Sequence, residues 1–444
     1  VEEYRRIADR VEAAVRDGRL RPGDRLPPQR VFARRQGIAN STAIRVYGEL
    51  ARRGLVVGEV GRGTFVRAAP PLPGPALVEA SGAAPVDLQL NYPVVDGQQE
   101  RMARALTALA RPGVLTGALA RPAAADGTPE ARDAAVTVLA GPGWAPDPGS
   151  VLFAGSGRRA VAAALSALVP PGGRLGVEEL TYPPLRAVAE RLGIRLVPLA
   201  LDAEGVRPET LAAAHRAAPL AAVYLQPTLH NPLAATAGEE RRDALAELLR
   251  RLDLTAVEDA TWAFLAPGAP APLAARAPER VVLVDSLSKR LAPGLTVGYL
   301  VVPGRLRAAV AEALRSGAWT ADGFALAAAT RWAGDGTVAE TVAAKRADAA
   351  ARHALVLRRL AGQALRTSPH AYFCWWELPA PWRAETFAAA AAARAGVAVT
   401  PGSAFAAAPG AAPGAVRVGL ASPPHAVLDA ALARLAALAA AGPG

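Results

Sequence analysis

Cysteine is all but absent: Cys374 is the only one in 444 residues. A single thiol rules out an intramolecular disulfide, and no cluster of Cys and His has metal-ligand spacing, so no metal site is expected. The five histidines, at 215, 230, 353, 370 and 425, are scattered and read as structural or surface residues. No run of 18 or more residues is strongly apolar. Ala-rich stretches such as FAAAAAARAG are too short and too weakly hydrophobic to cross a bilayer. The charged opening VEEYRR predicts no secretory leader. These scarcities point to a soluble protein in a reducing, cytoplasmic setting.

Lysine is the most telling shortage. Of 50 positive side chains only Lys289 and Lys345 are Lys, and the other 48 are Arg. As a charge or a hydrogen-bond fork Arg serves as well or better. An amine alone can condense with an aldehyde to form a Schiff base. Lys289 stands in VDSLSKRLAPG, between serines and a Pro-Gly pair, whereas Lys345 in TVAAKRADAA reads as a surface helix charge.

The length suggests two or three domains, and a hydrophobic content of 52% supplies a large core. Charge is uneven: residues 1–68 hold 15 Arg against 8 Asp and Glu, a net of +7 out of +11, leaving +4 for the rest. A small basic head on a nearly balanced body points to a polyanion partner. In that head Tyr4, Ile7, Ala8, Val11, Ala14 and Val15 recur at helical spacing over residues 3–17. Gly and Pro then break the chain. QRVFARRQG forms a short helix ending on Gly37, and Asn40 or Ser41 caps a further helix that projects Thr42 and Arg45. LVVGEVGRGTFVRA completes the unit as a hairpin with Arg62 at its tip.

Three helices and a basic hairpin describe a winged helix-turn-helix, whose second motif helix enters the major groove of DNA. The run GRLRPGDRLPPQRVFARRQGIANSTAIRVYGELARRGLVVGEVGRGTFV resembles the DNA-binding head of GntR-family regulators. The resemblance implies a double-stranded DNA operator as partner and Arg30, Thr42, Arg45 and Arg62 as DNA contacts. Gln29 stands where that family commonly has Ser.

Residues 68–85 read as a Pro, Ala and Gly-rich linker between a head at 1–67 and a body at 86–444. From residue 86 apolar strand-like runs alternate with helical stretches, the rhythm of βα units on a mostly parallel sheet, followed by a small C-terminal α+β subdomain. The fold class is therefore α/β with a winged-helix head. Chemistry in such sheets gathers at the carboxyl ends of strands. There stand Ser156, Gly157 and Arg158 before a helix, suited to phosphate, then Tyr182, Asp259 ending an apolar run, and Lys289. An amine, a buried acid, a phosphate cradle and an aromatic ring together describe a pyridoxal phosphate site.

SLSKRLAPG around Lys289 and HNP at 230–232 resemble the lysine and Asn-Pro motifs of fold-type I aminotransferases. The resemblance implies Lys289 as the Schiff-base lysine, Asp259 as partner of the pyridinium nitrogen, Asn231 on the phenolic oxygen and Tyr182 on the ring. It further implies Ser286, Ser156, Gly157 and Arg158 at the phosphate, Arg417 at an effector carboxylate, and a homodimer. The whole chain is similar to the MocR-type subgroup of GntR regulators.

The pattern departs from that family at three places. The phosphate turn reads Ala154, Gly155, Ser156, with its glycine displaced. Thr261 and Trp262 stand where a Tyr follows the acid, and Thr296 replaces a phosphate-binding Arg. Arg158 or Arg290 are the candidates to compensate. The expected function is a transcription regulator whose body binds pyridoxal phosphate and an amino compound, with little or no transaminase turnover. Two alternatives stand beside it: an aminotransferase with an accessory head, or a regulator whose body has given up the cofactor.

Overall fold

A computed structural model of the chain describes residues 3–17, 19–20, 23–59, 63–66, 84–113, 119, 123–294, 296–408 and 413–443. Arg62 and nearly all of the expected linker lie outside them. The head comprises α1 (Glu3–Arg16), β1 (Arg25–Leu26), α2 (Gln29–Gln36), α3 (Asn40–Arg52), β2 (Val56–Glu59) and β3 (Gly63–Val66). β3 pairs antiparallel with both β1 and β2, so the wing is a three-stranded sheet and not a bare hairpin. Ile7 and Ala8 of α1 pack with Phe32 of α2 and Val46, Tyr47 and Leu50 of α3, and Phe32 meets Tyr47 edge-on at 5.2 Å.

Gly37 ends α2 in the left-handed conformation at φ 66°, where its missing Cβ avoids strain, and its N–H donates to the carbonyl of Arg34. The start of α3 differs from expectation. Asn40 already lies in the helix, Ala39 holds the cap position, and no side chain caps the end. A polar cluster ties α3 to α1 instead: buried Glu49 accepts from Arg52 and Arg53, and Arg53 reaches Asp9 and Glu12.

The body is built on a seven-stranded sheet. Its strands in chain order are β4 (Val151–Ala154), β5 (Arg174–Glu178), β6 (Arg195–Leu199), β7 (Ala222–Leu225), β8 (Thr255–Asp259), β9 (Val281–Ser286) and β10 (Gly298–Val301). In space they run β4-β10-β9-β8-β7-β5-β6, all parallel except β10, which is antiparallel to both neighbours. The edge strand β6, RLVPL, escapes the apolar pattern because it is only partly covered. Central strands are covered on both faces, which is why they read as continuous apolar runs. In β7, Val223 and Leu225 enter one layer of core and Ala222 and Tyr224 the other.

The helix α4 (Gly157–Leu168) follows β4, and the single turn α5 (Leu287–Arg290) follows β9. A 23-residue helix, α6 (Thr337–Arg359), leads to the small subdomain. There β11 (Ala364–Arg366), β12 (Phe373–Glu377), β13 (Thr400–Pro401) and β14 (Ala415–Gly419) form a sheet ordered β11-β12-β14-β13. Helices α7 (Ala384–Ala395) and α8 (His425–Ala441) cover it, around a core that includes Trp376, Trp382 and Phe387. No described helix is long and apolar enough to cross a membrane, and no described group of three His, Cys, Asp or Glu could hold a metal ion.

Candidate functional site

Four strand ends converge on one place. β4 opens through Ser156 into α4, and the Ser156 hydroxyl accepts from the Arg159 N–H at 3.2 Å. No acidic side chain lies in the first turn of α4, so its unpaired N–H groups and dipole favour an anion. Gly157 is required by close approach: a Cβ there would stand 2.9 Å from the Cβ of Ser286. Beneath it, the Ser286 and Ser288 hydroxyls are 2.8 Å apart, and Thr296 lies 2.8 Å from Ser288 and 3.3 Å from Ser286. Three convergent hydroxyls and a helix N-terminus make a cradle for a phosphate-like group.

Asp259 ends β8 as part of a parallel pair with β7, so Tyr224 reaches it from the neighbouring strand: the phenol donates at 2.5 Å. The Thr261 N–H donates at 3.0 Å. Among the described residues no Lys or Arg forms an ion pair with this carboxylate, and burial pushes its pKa up. An arriving cation would relieve that cost.

Lys289 lies half-buried on the turn after β9. Its Nζ donates to the carbonyl of Asn91 at 2.6 Å, 3.7 Å from the ring centre of Tyr92 and 5.1 Å from that of Trp262. Desolvation holds its pKa well below the usual lysine range, aided by the charges of Arg417, Lys345 and Arg158. The amine is therefore biased toward its neutral, nucleophilic form.

Around these, Tyr182 is half-buried and pushed up to about 12, chiefly by desolvation, with Arg158 as its hydrogen-bond partner. Arg417 crosses from the small subdomain. It donates to Asn231 Oδ1 at 3.3 Å and to the Gln89 carbonyl, and burial lowers it to about 10. Its Nε and the Asn91 Nδ2 are buried without a partner among the described residues. In the head, Arg30 and Arg45 are exposed and Thr42 half-buried, with the Arg45 guanidinium 5.2 Å from the Tyr4 ring centre.

Two expectations need correction. Lys345 is no surface charge: it is fully buried, and its Nζ donates to the carbonyls of Lys289 and Leu291. The signal was available in spacing, since Val338, Val342, Lys345, Ala349, Arg352 and Val356 form one buried stripe of α6. Arg290 does not compensate for Thr296, because its guanidinium is committed to Asp285 and lies against Phe264. Pattern reading also missed Tyr224, Asn91 and Tyr92, which only pairing and chain return bring to the site.

A seven-stranded, mostly parallel sheet with one antiparallel strand, followed by a small C-terminal subdomain, makes the body a fold-type I aminotransferase domain. Residues 84–435 match the family model described as aminotransferase class I and II, and residues 3–66 that of bacterial regulatory proteins of the gntR family. The chain belongs to the aminotransferase class I and II family and carries a GntR helix-turn-helix head, the architecture of the MocR-type regulators. It is 30% identical over 329 residues to the uncharacterized HTH-type transcriptional regulator YdeF of Bacillus subtilis, covering 70% of this chain and 67% of the other. It is 30% identical over 348 residues to the HTH-type transcriptional regulator TauR of Rhodobacter capsulatus, covering 70% and 69%. In fold it matches the alpha-aminoadipate aminotransferase of Thermus thermophilus complexed with N-(5'-phosphopyridoxyl)-L-leucine. That match has a TM-score of 0.72 at 19% identity, over 82% of this chain and 95% of that one.

The residues present fit pyridoxal phosphate. The acid-free N-terminus of α4 stands beside the converging Ser286, Ser288 and Thr296 hydroxyls, Asp259 is buried without an ion-pair partner among the described residues, and the buried Arg417 Nε has no partner among them either.

Proposed function

We propose that this chain is a cytoplasmic transcription regulator in which residues 1–67 bind an operator, residues 68–85 link, and residues 86–444 form an effector-binding, homodimerising body. The observation that carries the reading is the gathering of Lys289, the buried Asp259 and the N-terminus of α4 at neighbouring strand ends, in a chain whose head exposes Arg30 and Arg45. Pyridoxal phosphate, when bound, supplies an aldehyde that reversibly captures primary amines. Lys289 would offer its amine to that aldehyde. Asp259, held by Tyr224 and Thr261, offers a negative charge to the ring nitrogen. Ser286, with the N–H groups of Ser156, Gly157 and Arg158 at the α4 end, would hold the phosphate, with the Arg158 side chain adding positive charge. Tyr182 would cover the ring, and Asn231 would serve its phenolic oxygen. Arg417 has donors for the carboxylate of an amino compound, which would compete with Asn231 and Gln89 for them.

Such an amino compound would regulate by binding two arrangements of the body unequally, and so shifting the DNA affinity of the heads. Little transaminase turnover is expected, because Trp262 supplies no phenol to the cofactor and Thr296 no charge to its phosphate. Fluorescence anisotropy with an operator duplex tests the reading. Arg45→Ala should cost about 1–3 kcal/mol if the side chain meets a base edge. Pyridoxal phosphate with the effector amine should change the parent's affinity. A head indifferent to Arg45→Ala and to the loaded body would refute the proposal.

A further inference from the structure

Both lysines of the chain belong to one structure. Lys345 reaches from α6 to the end of the turn α5, where its Nζ donates at 2.9 Å to the carbonyl of Lys289 and at 2.6 Å to that of Leu291. The Gln98 amide shares the Leu291 carbonyl at 3.1 Å. The side chain is fully buried, a setting in which a charged group persists only with strong partners. Carbonyl oxygens closing a turn are such partners, and a compact ammonium with three donors can satisfy two of them at once. A planar guanidinium is longer and aims its donors in one plane, which gives a physical reason for Lys in a chain that otherwise writes Arg.

We propose that Lys345 is the positioning residue for Lys289: it clamps the backbone turn that carries the reactive amine and places a positive charge beside it. The inference rests on the reading of Lys289 as the cofactor lysine. The ionisable groups around Lys345 are few. They are Lys289 on the clamped turn, Asp348 and Arg352 on its own helix, and Tyr372 and His425 from the small subdomain. Asp348 makes its direct contacts with Arg352, Tyr372 and His425, while Lys345 donates to its two carbonyl partners. Arg346, next in sequence, points elsewhere and donates to the Phe264 carbonyl. Desolvation lowers Lys345 itself to about 7, against the pull of Asp348, so the clamp weakens as the pH rises above neutrality.

The test reads Lys289 without the cofactor. The full-length protein is labelled with trace acetic anhydride across pH 5–10, and the acetylated Lys289 peptide is measured by mass. Lys345→Met removes charge and donors; Lys345→Gln removes the charge but keeps a donor, and remains readable if the first variant fails to fold. Both should raise the midpoint of Lys289 labelling by about half a pH unit or more, roughly a threefold rise in the ratio of protonated to neutral amine at a given pH. Lys345→Met should also lower pyridoxal phosphate affinity more than Lys345→Gln. A Lys289 midpoint unmoved in the folded variants would overturn the proposal. If the midpoint moves while the parent protein gives no visible band with pyridoxal phosphate, the positioning role stands and the cofactor reading falls.

Discussion

Thr296→Arg puts the cofactor site to its sharpest trial. Position 296 faces the cradle, with its hydroxyl 2.8 Å from Ser288 and 3.3 Å from Ser286, so an added guanidinium would enter beside any bound phosphate. The parent offers neutral donors there, because Arg290 is held in a buried pair with Asp285. Arg158, at the start of α4, is exposed and interacts with Tyr182. Replacing one neutral hydrogen bond by a charge-assisted pair adds about 1.5–3 kcal/mol when the site is dry. Thr296 is only half-buried, so solvent screening places the gain near the low end, roughly 10-fold in affinity. Parent and variant would be titrated with pyridoxal phosphate, following the visible band near the Lys289 linkage. The parent should purify with partial occupancy and the variant should bind several-fold tighter. Equal affinities would show that Arg158 already neutralises the phosphate and would refute the reasoning.

Borohydride reduction of the loaded protein should fix a pyridoxyl group on the SLSK peptide and leave Lys345 unlabelled, since that amine is buried against two carbonyls; peptide mapping decides it. Gly298→Ala would drive a Cβ into the Ser156 carbonyl and to 3.0 Å from the Gly157 nitrogen, distorting the cradle at a cost of about 1–3 kcal/mol. It should lower both the melting temperature and cofactor occupancy, whereas an unchanged occupancy would speak against the cradle. The head should loosen in acid. Hydrogen bonds from Arg52 and Arg53 lower Glu49 to about 2 from an ordinary value of 4.5. Its contribution is therefore complete above pH 4.5 and lost as the pH falls toward 2. Hydrogen exchange in α3 should show Glu49→Gln destabilised at pH 6, with the difference from the parent shrinking below pH 4. Burial pushes the Cys374 thiol up to about 12, so iodoacetamide should reach it only on unfolding.

Much of this protein was legible in one dimension. The winged-helix pattern needed only local signals: helical spacing in α1, Gly37 at a helix end, alternation in the wing. The central strands announced themselves because a strand buried on both faces is apolar at every position. SLSK and the acid ending β8 marked the site, since backbone geometry places strand ends where chemistry collects. What folding alone decided were the meetings. Tyr224 finds Asp259 because β7 and β8 pair in parallel register, and Asn91 finds Lys289 through a contact 198 positions apart. Lys345 is the plainest case. Flanked by Arg and Ala it reads as solvent-exposed, yet its angular place on α6 sets it on the buried stripe, against carbonyls that no local pattern reveals. A sequence states which groups are available. Whether a charge is solvated or clamped depends on what the rest of the chain packs against it.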